Sequence, residues 1–225
     1  MKEKQNCSEE EVHVLLDGVT PRKSEPRSVA LARLLVSGEA EPELAQTHTG
    51  QITNGEKRER MTNQPTIQSR SAQPFVAIKT AVSMDQLGTV VPPLTGEVIG
   101  WLARGGAAPA GAPFWKYDVV NMPGSLEIQS GVPVARPVNG DERVTAGTLP
   151  AGRYVTLRHV GHPDTLAAAT GALLEWAAQQ GLKFDVTPSP DGERWAARLE
   201  IYLTDPSQQP DMNKWQTELA FKLAD

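Results

Sequence analysis

The chain has 225 residues, a formal net charge of −5 at neutral pH and a single cysteine, Cys7. An acidic chain is a poor nucleic-acid binder, because phosphate contact needs a basic face. One cysteine excludes an intramolecular disulfide and a cysteine-cluster metal site, and the sequence has no apolar run long enough to cross a membrane as a helix. With Lys2 and Glu3 at its start instead of a signal sequence, it is expected to be soluble and cytoplasmic.

Residues 1–72 are set apart by what they lack. All the aromatic side chains, 4 Phe, 5 Trp and 3 Tyr, follow residue 72. Without them the segment, with 10 Lys/Arg and 11 Asp/Glu, has too little apolar area to offset the entropy of ordering. It reads as a disordered or weakly helical extension, with short helices over residues 8–16, where Ser8 and Glu11 form a capping box, and 28–36. Residues 37–72 read as linker, and Met61 is a candidate natural start. The folded domain is expected over residues 73–225.

In that domain Val76, Ile78, Thr80 and Val82 share one face of a first strand, 75–82. A helix follows from residue 89 or 94 to 104, with Pro92-Pro93 confined to its first turn or the loop before it, since proline lacks the N–H an interior position donates. Strands 114–121 and 126–134 form a hairpin turned by Met122-Pro123-Gly124. Residues 135–142 link two halves, and 144–149 add a short strand. In strand 153–160, Val155 and Leu157 alternate with polar neighbours. A helix over 164–180 puts Leu166, Ala169, Leu173, Leu174 and Ala177 on one stripe, with Asp164 as its N-cap and Gly181 as a left-handed stop. Residues 188–192 read as a loop, 195–203 as one strand, and 217–223 as the last strand.

The strand and helix of the second half have a diverged copy in the first. Aligning Phe75 with Tyr154 sets Val76 on Val155, Ile78 on Leu157 and Leu87 on Leu166; past an insertion around Pro92-Pro93, Trp101 falls on Trp176 and Gly106 on Gly181. Two strand-like runs follow each copy, so the repeating unit is β-α-β-β, used twice. The expected fold class is α+β: duplicated β-α-β-β units with two helices packed on one face of an antiparallel sheet, which leaves the opposite face to be explained. In strand 195–203 the aliphatic set Ala197, Leu199, Ile201 and Leu203 is expected against the helices, Ile201 forming a core with Leu157 and Leu173. The opposite face would then collect Glu200, Trp115, Tyr117, Tyr202, Tyr154 and Phe75.

The run PAGRYVTLRHVGHPDTL, the helix ending EWAAQQGL and the strand LEIYLTDP resemble the GyrI-like, or gyrase-inhibitor-like, effector-binding domain over residues 73–225. The resemblance implies a pseudo-twofold pair of units around a cleft for lipophilic, often cationic compounds, as found at the carboxyl end of multidrug-sensing bacterial regulators. It places the family's central acidic residue at Glu200. Two positions depart from the family: Gly161-His162-Pro163 replaces a Gly-Pro-Tyr turn, and Gln129 stands near the place of an acidic residue. No helix-turn-helix pattern precedes the domain, so the chain looks like a stand-alone copy.

Glu200 is thus the candidate anchor for a small hydrophobic or cationic ligand, with Trp115, Tyr117, Tyr202, Tyr154 and Phe75 as walls. The alternative is a solvated carboxylate paired with Arg198 or Arg158. Trp101, Trp176 and Trp195 read as packing residues; Trp215 is a candidate cleft edge. His159 and His162 lack a third ligand, so neither metal nor cofactor is expected. Glu127, Asp118 and Asp141 read as surface charge. The first functional reading is a binding module for sensing or sequestration, without direct nucleic-acid or membrane contact. The second is an enzyme that hydrolyses strained electrophilic molecules, with Glu200 as base and Tyr202 or Tyr117 as proton donor. The third is an inhibitor with a protein partner; homodimerisation through edge strands is open to any of them.

Overall fold

The computed structural model describes residues 64–225. The helices expected over 8–16 and 28–36, Cys7 and the candidate start Met61 lie outside the described residues. Within them the chain runs β1 (Thr66–Arg70), β2 (Gln73–Val82), α1 (Leu87–Arg104), β3 (Phe114–Val120), β4 (Leu126–Pro133), β5 (Thr145–Leu149), β6 (Gly152–Val160), α2 (Leu166–Gln179), β7 (Val186–Ser189), β8 (Gly192–Trp195), β9 (Arg198–Tyr202) and β10 (Gln216–Lys222). The class is α+β, as expected. Its sheet is antiparallel, in the order β1-β6-β10-β9-β3-β4-β2-β5, and β7 and β8 form an appended hairpin. β5 and β6 lie towards opposite ends of this order, yet only Pro150 and Ala151 join them, so the sheet curls until its ends approach.

Several elements differ from the sequence expectation for identifiable reasons. β1 lies in the stretch read as linker; its sequence TIQSR offers one large apolar residue, Ile67, and it is recruited by backbone pairing to β6. α1 starts early enough to hold Pro92 and Pro93 in its interior, because its stripe Leu87, Val91, Leu94, Val98 and Leu102 is buried along the whole length. Asp164 is not the cap of the second helix. It lies in a 3-10 turn, Pro163–Thr165, where His162 Nδ1 accepts from the Asp164 N–H at 3.2 Å. Gly106 and Gly181 follow the two helices at φ 68° and 66°, the left-handed stop that glycine allows. The expected loop at 188–192 is the β7–β8 hairpin. The expected strand 195–203 changes partners at Ala196-Ala197, where the Ala196 N–H goes to the Asp185 carbonyl and the Ala197 carbonyl accepts from Lys222.

Strand register decides which side chains share a face. Trp115 stands across from Glu200, Glu200 from Leu219, and Leu219 from Leu157. This row lies on the helix side, in one core with Val91 of α1 and Leu166 and Leu173 of α2. Phe75, Phe114, Tyr154, Leu199 and Ile201 pack together on the other face, in a cluster that contains no helix residue. The expected parity of β9 is therefore reversed: its aliphatic members face away from the helices, and Arg198, Glu200 and Tyr202 face towards them. The curl explains this, because it makes the helix-free face an interior that can bury Leu199 to 1 % exposure. Glycines let aromatic rings seal that interior. Gly131 faces Phe114 and Gly147 faces Phe75, and a Cβ added at either would stand 2.6 or 2.5 Å from the opposing ring. The two rings meet edge to face at 5.3 Å.

Candidate functional site

α1 packs over Val76, Ile78 and Val132 of β2 and β4, and α2 over Val155 and Leu157 of β6. Between these footprints the central strands β3 and β9 and the start of β10 are left to form the floor of a groove. Trp115, Tyr202 and Thr217 supply that floor, and Pro92, Thr95 and Ile99, at helical spacing, supply the α1 wall. Pro163, the segment from Leu203 to Pro206, and Trp215 close the far side. The cavity measures about 520 Å³, a size suited to a small molecule.

At the floor the Tyr202 hydroxyl donates to Glu200 Oε2 at 2.7 Å. The Trp115 and Tyr202 rings meet edge to face with centroids 5.0 Å apart. Glu200 is 6 % exposed, and a carboxylate buried this far needs a donor or a cation to offset lost hydration. Arg198, two residues away on the same face, is not held as its ion-pair partner. Its guanidinium is stacked at 4.9, 5.1 and 5.7 Å over the rings of Phe221, Trp195 and Tyr117. Burial pulls the Arg198 pKa below its ordinary value, while Tyr117 and then Glu200 act in the opposite direction. Trp115 Nε1 is buried with no hydrogen-bond partner among the described residues, a donor left unspent beneath the groove.

The walls are fixed by their own bonds. Thr95 Oγ1 and Ser130 Oγ lie 2.8 Å apart and tie α1 to β4, and the Trp215 indole donates to the Gln209 carbonyl at 2.8 Å. Asp205 accepts from the Ser207 N–H, and its hydrogen bonds to Ser207 hold its pKa below the ordinary carboxylate value.

Of the six side chains expected together, the structure gathers four on the helix side. Trp115 and Tyr202 line the groove, Glu200 lies behind them bonded to the Tyr202 hydroxyl, and Tyr117 packs in the same core against Arg198. Phe75 and Tyr154 are corrections, since both belong to the helix-free cluster. Tyr154 stands across from Gln68 and Lys222, donates its hydroxyl to the Pro150 carbonyl at 2.6 Å, and has its pKa pushed up to about 12 by burial. Trp215 does edge the groove. Asp118 and Asp141 are more than surface charge: Asp118 binds Lys116 and Gln129, and Asp141 accepts from the Trp101 indole and the backbone of Arg143 and Val144. Among the described residues no group of three or more His, Cys, Asp or Glu could hold a metal ion, and no helix is long and apolar enough to cross a membrane. Sequence reasoning missed the α1 wall, although the spacing of Pro92, Thr95 and Ile99 carried the signal. It also missed the segment 203–206, which carries none.

A curled antiparallel sheet roofed by two helices leaves between them a groove of small-molecule size, edged by Trp115, Tyr202 and Trp215. The chain belongs to the GyrI-like family: the GyrI-like small molecule binding domain matches residues 63–224. Among solved structures it resembles EcmrR in a complex with DNA, with a TM-score of 0.57 and 17 % identity over 76 % of this chain. The match spans 61 % of the EcmrR chain. It also resembles the isolated EcmrR C-terminal domain, with a TM-score of 0.54 and 16 % identity over 72 % of this chain and 98 % of that one. A third likeness is to SAV2435 bound to tetraphenylphosphonium, with a TM-score of 0.52 and 12 % identity over 72 % and 94 % of the two chains. At such identities the likeness is one of fold. No curated protein matches the chain.

Proposed function

We propose that the groove binds a small lipophilic compound, aromatic or cationic, and that the domain senses or sequesters it in the cytoplasm. The observation that carries this reading is an open cavity lined by Trp115 and Tyr202, with the buried Glu200 carboxylate held by the Tyr202 hydroxyl behind that lining. Aromatic faces accept flat rings and delocalised cations of many shapes, and the carboxylate adds a preference for positive charge. Duplication is supported by the strand order, in which β6-β10-β9 mirrors β2-β4-β3, and by the paired stops at Gly106 and Gly181. On this reading the groove lies where the two halves meet, at the β3–β9 junction. Tetraphenylphosphonium, the compound bound to SAV2435, is a lipophilic cation of the class proposed.

Titration of tryptophan fluorescence with tetraphenylphosphonium, and with triphenylphosphine oxide as an uncharged analogue, tests the proposal. The cation is expected to quench saturably and to bind about tenfold more weakly, ~1.4 kcal/mol, in Glu200→Gln. Equal affinity for both compounds, unchanged in Glu200→Gln, would remove the carboxylate from the account.

The Tyr202–Glu200 hydrogen bond also favours a second reading, hydrolysis of a strained electrophile. Glu200 would take a proton from attacking water while Tyr202 gives one to the opening ring, and the bond between them would return Glu200's proton to Tyr202. Product in excess of one equivalent of protein, abolished in Glu200→Gln, distinguishes turnover from binding.

A further inference from the structure

The inside of the curled sheet opens on a second cavity, of about 500 Å³. Its floor is apolar: Phe114 and Leu199 come from the central strands, and Leu149 and Tyr154 from the two ends that the curl brings together. The mouth of a curled or barrel-like sheet is a common place for a small-molecule site. This one lies on the opposite face of β9 from the groove, since Leu199 and Ile201 alternate with Glu200 and Tyr202. Only Ala112 and Leu203 line both cavities.

The rim carries the chemistry. Arg70 donates through Nη2 to Glu218 Oε1 at 2.6 Å and lies over the Tyr154 ring at 5.5 Å. A second, longer contact at 3.5 Å joins the same nitrogen to Gln68 Oε1. Arg70 Nε is buried and has no hydrogen-bond partner among the described residues. A buried donor left unspent is costly unless an acceptor meets it. Arg70 and Glu218 neutralise each other, and Glu218 takes only the Nη2 side of the guanidinium, so the rim keeps N–H groups to spare for an acceptor and no free carboxylate for a cation. A guanidinium presents its donors as a planar fork that matches a carboxylate.

We infer that the interior of the curled sheet is a second small-molecule site, which takes an amphipathic monocarboxylic acid: the carboxylate at Arg70, the hydrocarbon on Phe114, Leu199 and Ile201. It does not rest on the proposed function of the groove.

Isothermal titration of the full chain with decanoate, with decanol as the uncharged control, tests the site. One equivalent of decanoate is expected to bind, about tenfold more tightly than decanol, and Arg70→Gln is expected to erase that preference. Ile201→Glu, a change at a half-buried position, should weaken both compounds. Glu200→Gln and saturating tetraphenylphosphonium should leave decanoate binding unchanged. The inference is overturned by wild-type protein that binds no decanoate, or that does not distinguish it from decanol. Competition with tetraphenylphosphonium would overturn it too, by moving decanoate to the groove. So would a wild-type dimer in light scattering that binds no decanoate and becomes monomeric in Ile201→Glu, which would give the cavity to a second copy of the chain.

Discussion

The two faces of β9 are buried by different means. On the helix side Arg198, Glu200 and Tyr202 carry polar tips and are sheltered by α1, α2 and neighbouring aromatic rings. On the other side Leu199 and Ile201 have no helix over them and are enclosed by the curl of the sheet, with Phe75 and Phe114 as seals. The helices therefore do not simply cover the greasiest face. A curled sheet can bury its aliphatic side unaided, which frees the helix-covered layer to hold groups that must be dry yet approachable.

The comparison can be broken first on the helix side. Leu173 is fully buried there, and Leu173→Ala should lower stability in denaturant melts by about 2–5 kcal/mol through the cavity it leaves. Ile201, expected beside it, lies half-buried on the other face, so Ile201→Ala should cost less. On the helix-free face the sensitive change is an addition. Gly131→Ala would push a methyl to 2.6 Å from the Phe114 ring, and the same melts should show a loss of about 1–3 kcal/mol from overpacking.

Arg198→Met would sharpen the contrast without emptying the layer, because it keeps much of the apolar stem and removes the fixed positive charge near Glu200. The ratio of tetraphenylphosphonium to triphenylphosphine oxide affinity should rise by about tenfold, read by fluorescence titration; an unchanged ratio would show that Arg198 does not set the charge preference. The smallest effect belongs to Tyr154. Its phenol has a folded pKa raised from 10.0 to about 12, so the unfolded chain loses that proton first. The stability Tyr154 contributes is complete below its unfolded pKa and is lost as pH rises through the folded one. Thermal melts across that alkaline range should fall less steeply in Tyr154→Phe than in wild type. At neutral pH this variant should lose only about 0.5–1.5 kcal/mol, with its bond to Pro150.

Local periods were legible in the sequence; the long-range curl was not. Val76 with Ile78, Val155 with Leu157, and the stripe Leu166, Leu173 and Ala177 announce their elements through spacing alone, and Gly181 announces a helix end. Alternation in β9 also showed that it has two distinct faces. It could not show which face meets the helices, because that depends on whether the sheet closes on itself. Glu200, Trp115 and Tyr202 could be grouped because the internal repeat sets Tyr117 on Tyr202 and Trp115 at the position of Glu200, and in the fold Trp115 and Glu200 are cross-strand partners. Phe75 and Tyr154 were misplaced with them by the same unknown curl. The wall at 203–206 is positioned by contacts such as Trp215 to Gln209, which no local pattern encodes.

The change of partners at Ala196-Ala197 sets a reading frame for everything that follows it. Removing one residue between that point and Tyr202 would shift the frame by a single step. Loss of Arg198, for example, would turn Glu200 and Tyr202 into the closed side of the sheet, and Leu199 and Ile201 into the space between the helices. The segment from Leu203 to Trp215, which lies beyond the paired residues of β9, carries no such frame and can change length without turning the strand over. Single-residue gaps in descendants of this chain should accordingly collect in that segment and avoid β9.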